Sequence, residues 1–162
     1  MLNLTEKENM DLRNELNTEL KKAMRERDQL AVSTIRLIMA AIKEKDIQLR
    51  TQGANEQATD QDILSLLQSM IKQREESVRT YMEGAREDLA AREEDEIRII
   101  KRFLPEQLGE EDLDKAVSDI ITETGAKDIK DMGKVMAELK SRYSGQIDMG
   151  RASKLVKEKL AA

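Results

Sequence analysis

The stretch from Asp131 to Gly150 reads DMGKVMAELKSRYSGQIDMG, and it lays out a helix, a glycine turn and the start of another helix. One pattern occurs twice in it, as Asp131-Met132-Gly133-Lys134 and Asp148-Met149-Gly150-Arg151. Aspartate suits the position before a helix because its carboxylate accepts a hydrogen bond from an otherwise unpaired first-turn amide. Gly133 and Gly150 then fall inside those first turns, where a glycine costs roughly 1 kcal/mol relative to alanine. Each therefore points to tight helix packing or to close approach of another group to the backbone. Val135, Met136 and Leu139 share one face of the intervening helix, and Gly145 marks the turn that ends it.

Outward from this stretch the same periodicity continues. It predicts helices over 110–124, 131–143 and 148–160, the first closed by Gly125 as a left-handed cap. Val117, Ile120, Ile121, Leu155, Val156 and Leu160 join the apolar face of 131–143 in a three-helix core. Upstream stands Pro105, the single proline, which pushes Leu104 away from helical geometry and ends the preceding helix. The boundary therefore falls between an N-terminal domain, 1–104, and a tail domain, 105–162.

The N-terminal part reads as four more helices. Leu12, Leu16, Leu20, Ala23 and Met24 share one face of a helix over 9–25. Asp28 caps a second, to about residue 49, with Ile35, Ile38, Met39, Ile42 and Leu49 inward. A solvated loop, TQGANEQATD (51–60), follows. Thr59 and Asp62 have the spacing of a capping box and open a third helix, whose seam is Ile63, Leu67, Met70, Ile71, Val78, Tyr81 and Met82. Arg74 lies on that seam, either in a buried polar contact or with its stem along the edge and its head in water. Gly84 interrupts the pattern, and a fourth helix over 86–103 follows with Leu89, Ile97, Ile100, Phe103 and Leu104 apolar. The expected fold is all-α, a four-helix bundle-like domain followed by a small three-helix tail domain.

Composition narrows the chemistry. Of 162 residues 38% are charged and 2% aromatic, which suits aliphatic helical cores. There is no cysteine and no histidine, so thiolate chemistry and the commonest general base and metal ligand are missing. The serines have no histidine to activate them, and no phosphate-loop or nucleophile-elbow motif is present. The expectation is a protein without catalytic machinery, cofactor or metal. Glu93-Glu94-Asp95-Glu96 reads as a solvated face, because consecutive helical residues point around the axis and do not converge on an ion. No apolar run approaches the roughly 20 residues of a bilayer span. The opening MLNLTEKENMDLRNEL lacks the regions of a secretory leader. These absences set the expectation of a cytoplasmic protein with no membrane association.

The formal charge of −5 conceals a reversal. From Pro105 to Ala126 seven acidic residues face one basic residue, whereas from Lys127 to Ala162 nine basic residues face five acidic ones. Lys134 and Arg151 directly follow the two first-turn glycines, and Lys140, Arg142, Lys154 and Lys157 extend the positive region. One reading is a phosphate surface, in which helix amino ends and basic side chains meet an RNA backbone. The other is structural: Asp131 and Asp148 as caps, Gly133 and Gly150 as packing points, and the lysines as a solvated face. Tyr143 is the one aromatic residue in this region, so RNA binding here would be backbone-directed and salt-sensitive rather than based on stacking.

Five segments together carry a family resemblance: IRLIMAAIKEKDI (35–47), KQREES (72–77), REDL (86–89), FLPEQL (103–108) and DMGKVMAELK (131–140). In this order they resemble the GatB/YqeY-domain family, in particular its free-standing YqeY-like members. The tail is similar to the C-terminal domain of the GatB component of the glutamine-dependent aspartyl/glutamyl-tRNA amidotransferase. The resemblance implies two helical domains and a tail that grips tRNA. It also brings a carbon-nitrogen ligase label with glutamine as amide donor, although amide transfer belongs to parts that this sequence does not contain. The implied partner is tRNA or a tRNA-modifying enzyme. Two departures stand out. The family's Gly-(Lys/Arg)-Ala-(Asp/Asn) turn here reads Gly145-Gln146-Ile147-Asp148, without its basic residue, and the small residues before Arg86 run Gly84-Ala85. A helical protein-interaction module is the alternative function, with an accessory contribution to amidotransferase activity as a further one.

Overall fold

The structure, a computed structural model, describes residues 11–53 and 57–162. Among them are seven α helices and no strand. The chain divides into two compact units, Met1–Leu104 and Pro105–Ala162.

The first unit holds α1 (Leu12–Glu26), α2 (Gln29–Thr51), α3 (Asp60–Glu83) and α4 (Glu87–Lys101). Asp11 caps α1, accepting from Asn14 N at 2.9 Å, and residues 9 and 10, expected in this helix, lie outside the described residues. Asp28 caps α2 through Ala31 N at 3.1 Å. The Thr59–Asp62 box opens α3 with both of its reciprocal bonds formed. Helix α2 packs on α1, α3 and α4, and α3 and α4 form the most extensive pair. Leu16, Ile35, Ile38, Ile63, Leu67 and Ile100 are fully buried between them. Each such side chain contributes roughly 1.5–3 kcal/mol through its removal from water. Helix α4 also buries Ile99 beside Ile97 and Ile100, a wider apolar face than the i, i+3 spacing suggests, because it meets both α2 and α3. Two expected seam residues are exposed, Met24 at 52% and Met82 at 53%, each at the last turn of its helix, and Tyr81 and Leu89, half-buried, also lie outside the core.

Polar side chains close the gaps between these helices. Arg13 donates to Asp46 from both terminal nitrogens, at 3.1 and 2.8 Å, and to the Ala58 carbonyl at 3.0 Å. Asp46 in turn accepts from Ala58 N at 2.8 Å. The 51–60 segment, of which residues 54–56 lie outside the described residues, is therefore not uniformly solvated, and Ala58 is buried. Arg74 settles into the buried polar alternative: its Nε donates to Glu96 at 3.0 Å and a terminal nitrogen to the Met70 carbonyl at 3.2 Å. The seam is tight enough there that the guanidinium is largely withdrawn from water, and both side chains are under 15% exposed.

The α3–α4 turn shows the cost of residue order. Gly84 keeps φ −84°, while Ala85 takes the left-handed conformation at φ 54°, with Arg86 N bonded to Tyr81 O at 2.8 Å. That is the geometry of a helix ended by a left-handed residue, with alanine where glycine is the unstrained choice. A Cβ on Gly84 would meet Thr80 and Tyr81 carbonyls at 3.5 and 3.7 Å, ordinary contact distances. In α2, Thr34 is fully buried, and its Oγ1 has no hydrogen-bond partner among the described residues.

The second unit contains α5 (Glu110–Thr124), a 3-10 turn (Ile129–Asp131), α6 (Met132–Arg142) and α7 (Met149–Ala161), with all three helices in mutual contact. Gly125 closes α5 at φ 67°. Val117, Ile120, Val135, Leu139 and Val156 fill the core as expected, joined by Leu113, Ala152 and Ile147, the last from the turn before α7. Leu108 N bonds Gln146 O at 2.9 Å, and Gln107 Nε2 donates to Gly145 O, so the segment leading into α5 is clipped to that turn.

Three outcomes are expected. Exchanging the pair, Gly84→Ala with Ala85→Gly, should raise unfolding free energy by roughly 1–2 kcal/mol in denaturant titration, about half of it recovered by Ala85→Gly alone. Thr34→Val should stabilise by about 1 kcal/mol, since it removes a buried hydroxyl that lacks a partner. The hydrogen bonds from Arg13 hold the Asp46 carboxyl below the usual carboxylate range, helped by Ala58 N–H and opposed by burial. Its contribution is therefore complete above the unfolded value near 3.9 and is lost as pH falls through the lower folded value. Asp46→Asn should cost roughly 1.5–3 kcal/mol at neutral pH, and the gap to the unmodified protein should narrow below about pH 4 in thermal melts.

Candidate functional site

The repeated Asp-Met-Gly-basic pattern folds in two different ways. At the second copy, Asp148 caps α7 as expected, with its Oδ1 accepting from Gly150 N at 2.8 Å and Arg151 N at 3.3 Å. At the first copy, Asp131 makes no side-chain bond to the first turn of α6. Its carboxylate turns back to Lys127 N at 2.9 Å and Asp128 N at 3.4 Å, and Asp128 caps the 3-10 turn that leads into the helix. Those two amides hold the Asp131 carboxyl below its usual range. The packing role expected for Gly133 also fails, since a Cβ there would meet nothing within 4 Å. Gly150 is exposed and Gly145 is buried at φ 73°, in a conformation only glycine adopts without strain. Neither helix start is thus an open row of amides awaiting phosphate. One is filled by its own carboxylate, and the other continues from a 3-10 turn through Met132 N to Ile129 O.

The basic side chains divide by partner. Lys134 donates to Thr124 O at 3.2 Å, where a cation meets the carbonyl end of α5 favourably. Arg142 reaches Glu138 at 3.1 Å and Glu123 at 2.6 Å, so both ends of α6 are tied to the last turn of α5. Arg151 pairs with Glu110 in the first turn of α5, and Lys159 with Asp114 at 2.7 Å. Lys140 is exposed on α6. Lys154 and Lys157 are exposed on α7, opposite the buried Ala152, Val156 and Leu160, and make no ion pair among the described residues. Arg151 shares that outer face. The second unit as a whole has ten basic and twelve acidic residues, and Glu158 is exposed on the same helix as these lysines. The acidic partners were the part that sequence spacing concealed, because Glu110 and Arg151 lie 41 positions apart.

In the first unit, the run Glu93 to Glu96 does not converge. Glu96 faces Arg74 and Arg92, and Asp95 pairs with Arg98. No group of three acidic side chains among the described residues is placed to hold a metal ion. No helix among them is long and apolar enough to cross a membrane.

Comparison with known proteins places this arrangement in a family. The family model described as Yqey-like protein matches residues 13–160. The chain is 36% identical over 110 residues to altered inheritance of mitochondria protein 41, mitochondrial, of Lachancea thermotolerans, covering 67% of this chain and 57% of that protein. The protein of the same name from Saccharomyces cerevisiae is 31% identical over 131 residues, with 76% and 68% covered. That of Vanderwaltozyma polyspora is 29% identical over 124 residues, with 72% and 64% covered. The chain thus spans little more than half of the Lachancea protein. These relatives are named as mitochondrial, which overturns the expectation of a cytoplasmic protein. That expectation rested on missing leader and membrane features, and such absences do not define a compartment. With the match covering nearly its whole length, the chain belongs to the Yqey-like protein family.

Proposed function

We propose that the second unit binds structured RNA, tRNA in the first instance, through the outer face of α7. The observation that carries this is the pair Lys154 and Lys157, exposed and without acidic partners among the described residues, in a unit where the other cations of α7 are paired. Cations one turn apart on a rigid helix suit successive phosphates of a backbone, and each phosphate neutralised releases counterions. Lys140 adds charge from α6, whereas Lys134 and Arg142 chiefly bind the helices of the tail together. With Gln146 in place of a basic residue and its carbonyl engaged by Leu108, the turn at Gly145 is a structural joint in this reading. The protein then acts as an accessory that holds RNA, and not as the catalyst of amide transfer.

A second reading, a protein-interaction module, draws on a groove of about 410 Å3 between α1 and α2, with Leu16, Met39 and Ile42 in its floor and Lys43 at its edge. Apolar floors with a charged rim are common partner sites.

Bulk tRNA titrated at two salt concentrations tests the first reading. The double variant Lys154→Glu with Lys157→Glu should weaken binding at least about tenfold at low salt and flatten the salt slope by about 1.4–1.8. Unchanged affinity in that variant, with an unchanged melting curve, would remove the proposed surface.

A further inference from the structure

Arg142 and Arg151 belong to the positive region of the chain, yet neither presents a free guanidinium. Arg151 is held by Glu110 in the first turn of α5. Arg142 is held by Glu123 in the last turn of α5 at 2.6 Å and by Glu138, one turn back on α6, at 3.1 Å. The Arg142 hydrogen bond keeps the Glu123 carboxyl below its usual range. A carboxylate offers a guanidinium the same pair of charged oxygens that a phosphate does. The pattern on α5 is selective as well. Glu110, Asp114 and Glu123 pair with α6 and α7, while Glu111 and Asp119 are exposed and unpaired among the described residues.

We propose that Glu110 and Glu123 are built-in competitors of phosphate, holding the guanidinium groups of Arg151 and Arg142 against α5 and away from an RNA backbone. This rests on the reading of α7 as an RNA surface and adds its regulation. The two carboxylates set how many cations reach the backbone, and with it the affinity and its salt dependence. Exposed ion pairs are weak enough to be exchanged. Removal of Glu110 therefore frees Arg151, and removal of Glu123 leaves Arg142 only its exposed same-helix pair with Glu138, so phosphate gains one or two contacts without a change of fold.

The test compares tRNA titrations at several salt concentrations for a set of variants with matching melting curves. Glu110→Gln with Glu123→Gln should bind about three- to tenfold tighter than the charge-matched control, Glu111→Gln with Asp119→Asn. Its salt slope should be steeper by about 0.7–1.8, from one or two added phosphate contacts, whereas the control keeps the original slope. In the unmodified background, Arg142→Gln with Arg151→Gln should change affinity little. In the Glu110→Gln, Glu123→Gln background the same two changes should abolish the gain. A glutamine pair indistinguishable from its control overturns the proposal. So does a loss from the arginine changes, in the unmodified background, equal to that from Lys154→Gln with Lys157→Gln. Binding that needs the two lysines but ignores the glutamates overturns this proposal alone. Absence of binding in every variant overturns it together with the RNA reading.

Discussion

The carboxylate of Asp46 joins three pieces of chain that helix propensity alone leaves independent. It takes both arms of Arg13 from α1, sits on α2, and accepts the amide of Ala58 just before α3. A helical hairpin such as α1–α2 can slide by a turn without large loss of apolar burial, since aliphatic seams are repetitive. A two-armed ion pair does not tolerate that slip, because its geometry is satisfied at one register only. The adjoining hydrogen bond from Leu12 N to Asp60 Oδ1 at 3.3 Å brings the start of α1 to the start of α3. The first unit therefore gets its burial from leucine and isoleucine and its α1–α2 register from one carboxylate, with a single Arg74–Glu96 bond joining α3 to α4.

The second unit uses similar pairs at its surface, and there the consequence is electrostatic. Its acidic residues are concentrated on α5 and its basic ones on α6 and α7, so folding lays one sign against the other. Exposed pairs of this kind contribute little to stability. Their larger effect is to place a carboxylate beside Arg142, Arg151 and Lys159, while Lys154 and Lys157 stay exposed on α7. A chain with an acidic total can present such lysines to a polyanion because binding responds to local potential within about 10 Å at moderate salt.

Much of this architecture was legible in the residues. Helix ends were marked by Asp28, by Thr59 with Asp62, by Pro105 and by Gly125, each of which acts within one turn of its own position. The cores followed from helical periodicity where helices bury a single stripe. Periodicity failed where tertiary context intervened: at Met24 and Met82, whose helices end before a neighbour can cover them, and at Ile147, which is buried from a turn. It also left Arg74 undecided, because a seam's width is not visible until two helices meet. The candidate site was less legible for the same reason. The basic residues were identifiable, but which remain free depends on Glu110, Glu123 and Asp114, brought in from a distant helix.

The two copies of the Asp-Met-Gly-basic pattern make the general point in the smallest space. Asp148 comes after a buried isoleucine and has an extended backbone, at φ −74° and ψ 114°, so its carboxylate faces forward over the first turn of α7. Asp131 is already in helical geometry, at φ −86° and ψ −1°, because Asp128 started the 3-10 turn three residues earlier. A residue already inside a turn is poorly placed to cap the helix ahead of it, so its carboxylate serves the amides behind it instead. Identical local chemistry is thus assigned opposite directions by the backbone that enters it. The same logic separates Lys134, which folds back onto the end of α5, from Arg151, which reaches to its beginning, and on the outer face of α7 it leaves Lys154 and Lys157 without an ion pair among the described residues.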